Sequence, residues 1–492
     1  MFRLLRFLKD YKKESVLAPF FKLTEAVFEL IVPLVVAAII DNGIYAGDRQ
    51  YILKMCGVLA VFAALGLVCA VSAQYFAAKA AVGFAAKVRH SLFAHIGKLS
   101  YSQLDETGAS TLITRLTGDV NQVQSGVNLT FRLVLRSPIV VFGAVIMAFT
   151  VDPSTALVFA VAVPLLAVVV FAIMLVTIPL YRKVQQKLDA VLGKTRENLL
   201  GTRVIRAFCK EEDEISDFTG KNRVLTDMQL AVGKISAFMN PATFVIINAA
   251  IAVLIYVGAI RVGSGNMSGG DVVAQYNYMS QILIELIKLA SLIISITKAI
   301  ASGNRIQAVL DTKPEMTGGT VTEGDTRSEY AAEFENTSLS YGTGENALDG
   351  ISLKIKRGST IGIIGSTGSG KSSLIGLLPR FYDVTGGRVL VDGEDVRNYD
   401  LKALRGKIGV VSQKKALFKG SVRDNIRFAK PDATDEEIWQ ALETAQAKQM
   451  VLDKTGGLDF MLEQDGKNLS GGQRQRMTIA RALVRKPEIL IL

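Results

Sequence analysis

Along the first three hundred positions, apolar residues gather in long blocks separated by charged stretches. A bilayer core of roughly 30 Å takes about 20 helical residues, so blocks of that length with sparse charge read as membrane spans. Six occur: Val16–Ile40, Ile52–Phe76, Leu129–Thr150, Ser154–Tyr181, Pro241–Val262 and Val272–Ile300. Two intervening stretches, Ala80–Asn128 and Arg182–Asn240, carry apolar residues at helical spacing and no proline, which predicts helices projecting beyond the membrane. The pattern changes after Arg305. Residues 311–330, rich in Gly, Thr and acid, read as a linker. From 331 onward the runs EFENTSLSY, ISLKIKRG and STIGIIG are short and β-rich and alternate with helical stretches. The expected fold is multidomain: an all-α six-helix transmembrane domain over 1–310 and an α/β domain over 331–492.

Composition agrees with a membrane class. The chain has 492 residues, 50% of them hydrophobic, and a mean hydropathy of +0.32, too apolar for an ordinary soluble protein. The formal charge of +11 suits either nucleic acid or cationic loops at a bilayer. Position decides. Cations cluster at the N-terminus, at Lys87, Arg89, Lys98 and Arg115, and from Arg182 to Lys210, whereas the opposite short loops hold only Arg49 and Arg261. The bias predicts a multi-pass protein of the cell membrane with both termini cytoplasmic, and removes nucleic acid as a partner. The first fifteen residues lack a signal-peptide core; they read as a short amphipathic helix on the membrane surface or as a frayed terminus. Three cysteines without ligand spacing give no support for zinc or disulfides.

Candidate chemistry begins at Gly365-Ser366-Thr367-Gly368-Ser369-Gly370-Lys371-Ser372, a G-x-x-x-x-G-K-[ST] match. It follows an expected strand, Thr360–Ile364, and opens a helical run, Ser373–Leu378, the context of a phosphate-binding loop. Glycines let successive N–H groups turn toward phosphate oxygens, and the helix start adds positive potential. Lys371 is expected to reach the β- and γ-phosphates of ATP and Ser372 to ligate Mg²⁺, with Ser373 completing the nucleotide-binding set. About a hundred residues later stand Leu469-Ser470-Gly471-Gly472-Gln473. Alone, they read as the cap of an amphipathic helix or as an anion-binding helix start.

A phosphate loop followed by LSGGQ in this order resembles the ABC transporter ATPases, and the resemblance covers practically the whole chain. It implies that Tyr341 stacks on adenine, that Gln413 senses Mg²⁺ and the attacking water while touching the membrane domain, and that Leu469 to Gln473 act on an ATP held by a partner. Asp105–Gly108 with Leu112–Val120, and Glu197–Phe208, are similar to the two cytosolic connections of exporters, whose short coupling helices dock on ATPase domains. Family members work as dimers, so the implied partner is a second half-transporter, identical or different. The cargo class implied is an amphipathic or hydrophobic small molecule, lipid or peptide. The alternative within the family is a regulatory subunit that binds ATP but barely hydrolyses it. A soluble DNA-maintenance ATPase shares both motifs, but six spans argue against it.

The resemblance also sets an expectation about the end of the sequence. Glu488–Leu492 matches the strand that in the family precedes the Walker B aspartate and catalytic carboxylate, and the only histidines are His90 and His95. The α/β domain is thus expected to be incomplete, and this chain to bind ATP weakly without turnover. Charges inside the spans are the last signal. Glu285 and Lys288, and Lys22, Glu25 and Glu29, sit three or four residues apart on helical faces. Pairing between helices or along them is favoured over lining a translocation cavity.

Overall fold

Asp152 and Pro153 show how a span begins. The Asp152 carboxylate accepts a 2.9 Å hydrogen bond from Thr155 N, and Pro153 occupies the first helical turn, where a missing N–H costs nothing. In the computed structural model, which describes residues 2–341 and 346–492, six helical runs among those residues are long and apolar enough to cross a bilayer. Their helices are α1 (Lys12–Ala38), α2 (Arg49–Ile96), α3 (Arg136–Val151), α4 (Pro153–Leu200), α5 (Met239–Gly263) and α6 (Gly269–Asp311). The two projecting segments are helical as predicted: α2 and α4 each continue for 48 residues, and Glu211–Ala237 leads into α5. The N-terminal residues Phe2–Tyr11 form a 3-10 helix anchored by the fully buried Leu4.

The chain divides into two compact units, Met1–Ala94 with Leu112–Asp311, and His95–Thr111 with Thr312–Leu492. In the first, Leu30, Val141, Phe159, Leu166, Ile247, Leu254 and Tyr278 form the core together with many alanines. Small residues let helices approach where lipid offers no hydrophobic drive between them. At Gly126 an added Cβ would fall 2.2 Å from Ala299 Cβ, so only glycine fits. Elsewhere apolar side chains face outward. Leu53, Leu65, Leu67, Val68 and Val71 of α2 are all exposed, the pattern of a helix whose solvent is hydrocarbon or another membrane helix.

The second unit has β1 (Tyr330–Ser340), β2 (Asn346–Lys356), α7 (Lys371–Leu377), β3 (Gly386–Val391), β4 (Glu394–Asp395), β5 (Ile408–Val410), α8 (Gly471–Leu483) and β6 (Ile489–Ile491). One sheet is antiparallel in the order β2-β1-β3-β4, while β5 and β6 pair in parallel. Phe334 stands opposite Leu353 on one side and Val389 on the other, and its ring joins Leu377, Val391 and Tyr399 in the core. A second core, built on Ile426, Leu442, Val451 and Met477, belongs to the helical part. The expected linker is pinned here: Gly319 N and Val321 N donate to Tyr399 O and Asn398 O at 2.8 and 3.0 Å.

One expected element is absent. Thr360–Ile364 forms no strand, and Ile361, Ile363 and Ile364 are exposed, the last by 96%. The residues have strand propensity, but a strand also needs a ladder partner, and β5 and β6 pair only with each other. Gly362 and Gly365 add no side chain to hold the segment.

Candidate functional site

The loop from Gly365 to Gly370 lies open to solvent, and its shape depends on two left-handed glycines, Gly368 (φ +86°) and Gly370 (φ +83°). At Gly370 a Cβ would also meet Ala347 O at 2.7 Å, so backbone angle and space both require glycine. Lys371 begins α7 and folds back over the loop, its ammonium donating to Gly365 O at 2.9 Å and Ser366 O at 2.7 Å. These are weak acceptors that a phosphate would outcompete. Ser372 is exposed at the same helix start, with its hydroxyl unengaged among the described contacts. Ser366, Thr367 and Ser369 stand beside it on the loop.

Tyr341 is drawn to this loop by a 3.0 Å hydrogen bond from its hydroxyl to Ser373 Oγ. Its ring meets Tyr382 edge-on at 5.0 Å. Gln413 lies past β5, exposed and without a hydrogen bond among the described residues. No described contact joins it to the phosphate loop. The Leu469–Gln473 segment is a capping box: Ser470 Oγ accepts from Gln473 N at 3.3 Å and Gln473 Oε1 accepts from Ser470 N at 2.9 Å. Leu469 is buried, whereas Gly471 and Gly472 are exposed, with Lys415 donating to Gly471 O at 3.2 Å. The cap reading and an open helix start therefore coexist.

Two sets of contacts escaped the sequence reading. The short helix Tyr101–Thr107, in the connection whose likeness to exporters implied docking on the ATPase domain, is started by a capping box of Ser100 and Gln103 and packs within the second unit, but the residues that hold it were not read from the sequence. Tyr101 lies 4.8 Å from the Phe381 ring, and Tyr382 donates to Asp105 at 2.6 Å. Burial first, then the bond to Asp105 and its charge, push the Tyr382 phenol well above the ordinary tyrosine range. Adjacent aromatics just after the phosphate-loop helix were the only available signal.

The second set belongs to Arg136. Its guanidinium, 8% exposed, bonds Glu285 at 2.7 Å and Glu29 at 2.5 Å, tying α3 to α6 and α1. Ser137 donates to Glu285 at 2.8 Å, Lys288 to Glu285 at 2.9 Å, and Lys22 to Glu25 at 2.6 Å. The charges singled out within the spans are thus paired, along helices and between them.

Comparison with known proteins fits these parts. Residues 15–286 match the model of the ABC transporter transmembrane region, and residues 348–492 match that of the ABC transporter. An uncharacterized ABC transporter ATP-binding protein of Mycobacterium tuberculosis (strain ATCC 25618 / H37Rv) is 36% identical over 98% of this chain and 84% of its own length. An ATP-dependent lipid A-core flippase of Desulfotalea psychrophila is 32% identical over 82% of this chain and 70% of its own. In three dimensions the chain is similar to a bacterial Atm1-family ABC exporter with ATP bound, with a TM-score of 0.78 and 22% identity over 97% of this chain and 85% of that one. With six membrane-capable helices and an open phosphate loop in one polypeptide, and both family models matched in that order, the chain belongs to the ABC transporter family.

Proposed function

We propose that this chain is one half of an ATP-driven exporter of the cell membrane, moving an amphipathic or hydrophobic small molecule, lipid or peptide. The observation that carries the reading is the joining of six apolar helices to a phosphate loop whose lysine, among the described residues, is held by neutral oxygens of that same loop, two carbonyls and the Ser369 hydroxyl. The Gly365–Ser373 loop holds the ATP phosphates, with Lys371 on the β- and γ-oxygens. Tyr341, already beside Ser373, supports adenine. Both termini and the ATP-binding unit lie in the cytoplasm, following the cation bias of the connections.

Mg²⁺ fits this donor set. Among the described residues no group of three acids, histidines or cysteines could hold a metal alone, and Mg²⁺ is commonly held by substrate phosphates, water and a few hard oxygens. Ser372 Oγ and the Gln413 amide oxygen supply such oxygens. Mg²⁺, when bound, neutralises charge on the β- and γ-phosphates. The chain's own residues orient the nucleotide, and Leu469 to Gln473 present a helix start to the ATP of a second half-transporter, so the working unit is a dimer.

Inside-out vesicles containing the dimer of full-length half-transporters should accumulate an amphipathic dye on adding ATP, and Lys371→Ala should abolish this. Dye uptake that ignores ATP, or survives Lys371→Ala, overturns the reading. Recovery of transport only when a different half-transporter is co-expressed identifies the regulatory-subunit alternative.

A further inference from the structure

Within the first unit a cleft of about 410 Å³ opens between α1, α2 and the turn Thr130–Val134, lined by Lys22, Ala70, Val71, Gln74, Tyr75 and Arg132. Its level follows from helix lengths. At ~1.5 Å per residue, Arg132 lies about 28 Å from Val151, Lys22 about 33 Å from Ile44, and Gln74 about 37 Å from Arg49. Those three reference residues flank the short connections at one end of the bundle. The cleft is therefore near the opposite edge of a hydrocarbon core of roughly 30 Å, where lipid phosphates lie. Tyr75, exposed and amphipathic, is the residue type that marks this interface.

Charge makes the cleft unusual. Lys22, Glu25 and Glu29 of α1, and Arg136 at the start of α3, each have a counter-charge. Arg132 has no hydrogen bond or ion pair among the described residues, and it sits half-buried on a π-helical turn, a distortion that often marks functional positions. With Lys22 offset by Glu25, the cleft keeps one uncompensated guanidinium, whose planar fork suits a phosphate. Gln74 adds an amide, while Ala70 and Val71 offer apolar contact to the start of an acyl chain.

We propose that this cleft binds the phosphate of an anionic phospholipid drawn from the surrounding bilayer. The guanidinium of Arg132 holds the phosphate oxygens, and the apolar floor of α2 holds the glycerol end. Binding requires only the first unit in a membrane and does not depend on the transport reading.

The test titrates the detergent-purified protein with phosphatidylglycerol, phosphatidylcholine or inorganic phosphate, reading bound lipid by native mass spectrometry and stability by thermal unfolding. Phosphatidylglycerol should bind about five- to tenfold more tightly than phosphatidylcholine, the contribution of one cation near an anionic headgroup. Arg132→Gln should remove the preference and Arg132→Lys should keep part of it. Val71→Trp retains every charge but fills the cleft, and should also remove the preference. Equal preference in the wild type, Arg132→Gln and Val71→Trp proteins overturns the site. So does inorganic phosphate that displaces the lipid at equal concentration, which would make the ligand a free anion.

Discussion

The hydroxyl of Tyr382 lies 2.6 Å from Asp105 Oδ2, so a residue that follows the phosphate-loop helix holds the short helix Tyr101–Thr107 by its carboxylate. Because burial first, and then the bond to Asp105 and its charge, hold the phenol neutral and raise its pKa above the unfolded value near 10, the bond's stability is complete below about pH 10 and is lost as pH rises through the folded value. Spectrophotometric titration should show one phenolate appearing later than the rest. Tyr382→Phe should abolish that late step and cost about 1 kcal/mol, since the contact is partly open to solvent.

Among the described residues Lys371 bonds only neutral oxygens of its own loop, the carbonyls of Gly365 and Ser366 and the Ser369 hydroxyl, so Lys371→Ala should leave the fold unchanged. Nucleotide binding should fall at least about tenfold with the loss of charge-assisted bonds to phosphate. Binding of a fluorescent ATP analogue, beside a circular dichroism spectrum, checks both halves.

Ser470 is a cap whatever else it does. Ser470→Ala should destabilise α8 by about 1 kcal/mol, and Ser470→Gly by only a few tenths. If ATP-dependent transport falls equally in both while only alanine lowers the melting temperature, the hydroxyl also acts on nucleotide.

At Arg136, removing one member of a buried pair should be worse than removing both. Arg136→Met should cost about 3 kcal/mol, the low end for breaking a buried pair, because Glu285 keeps only the more exposed Lys288 as a counter-charge, whereas Arg136→Met with Glu285→Leu should recover most of it. Unfolding in detergent of the single and double variants measures the difference.

The sequence made some of this legible because the signal was local. A block of apolar residues about 20 long has few soluble explanations, so all six spans were readable, as was a glycine-rich loop ending in Lys371-Ser372. Ser470 was readable as a cap for the same reason. What escaped depends on residues far apart in the chain. Arg136 went unread because its partners, Glu29 and Glu285, stand more than a hundred positions away and reach it only in the fold. Asp105 and Tyr382 are separated by 277 positions, and no periodicity links them. The strand expected at Thr360–Ile364 failed for the reverse reason: propensity was visible, but the need for a ladder partner was not.

The lengths of α2 and α4 carry a mechanical meaning. A helix of 48 residues is about 72 Å long at ~1.5 Å per residue, so a tilt of about 5° about one end sweeps the other through roughly 6 Å, more than one helical pitch. Such rods work as levers: a rotation too small to disturb side-chain packing near the fulcrum becomes, at the tip, a stroke wide enough to exchange one set of neighbours for another.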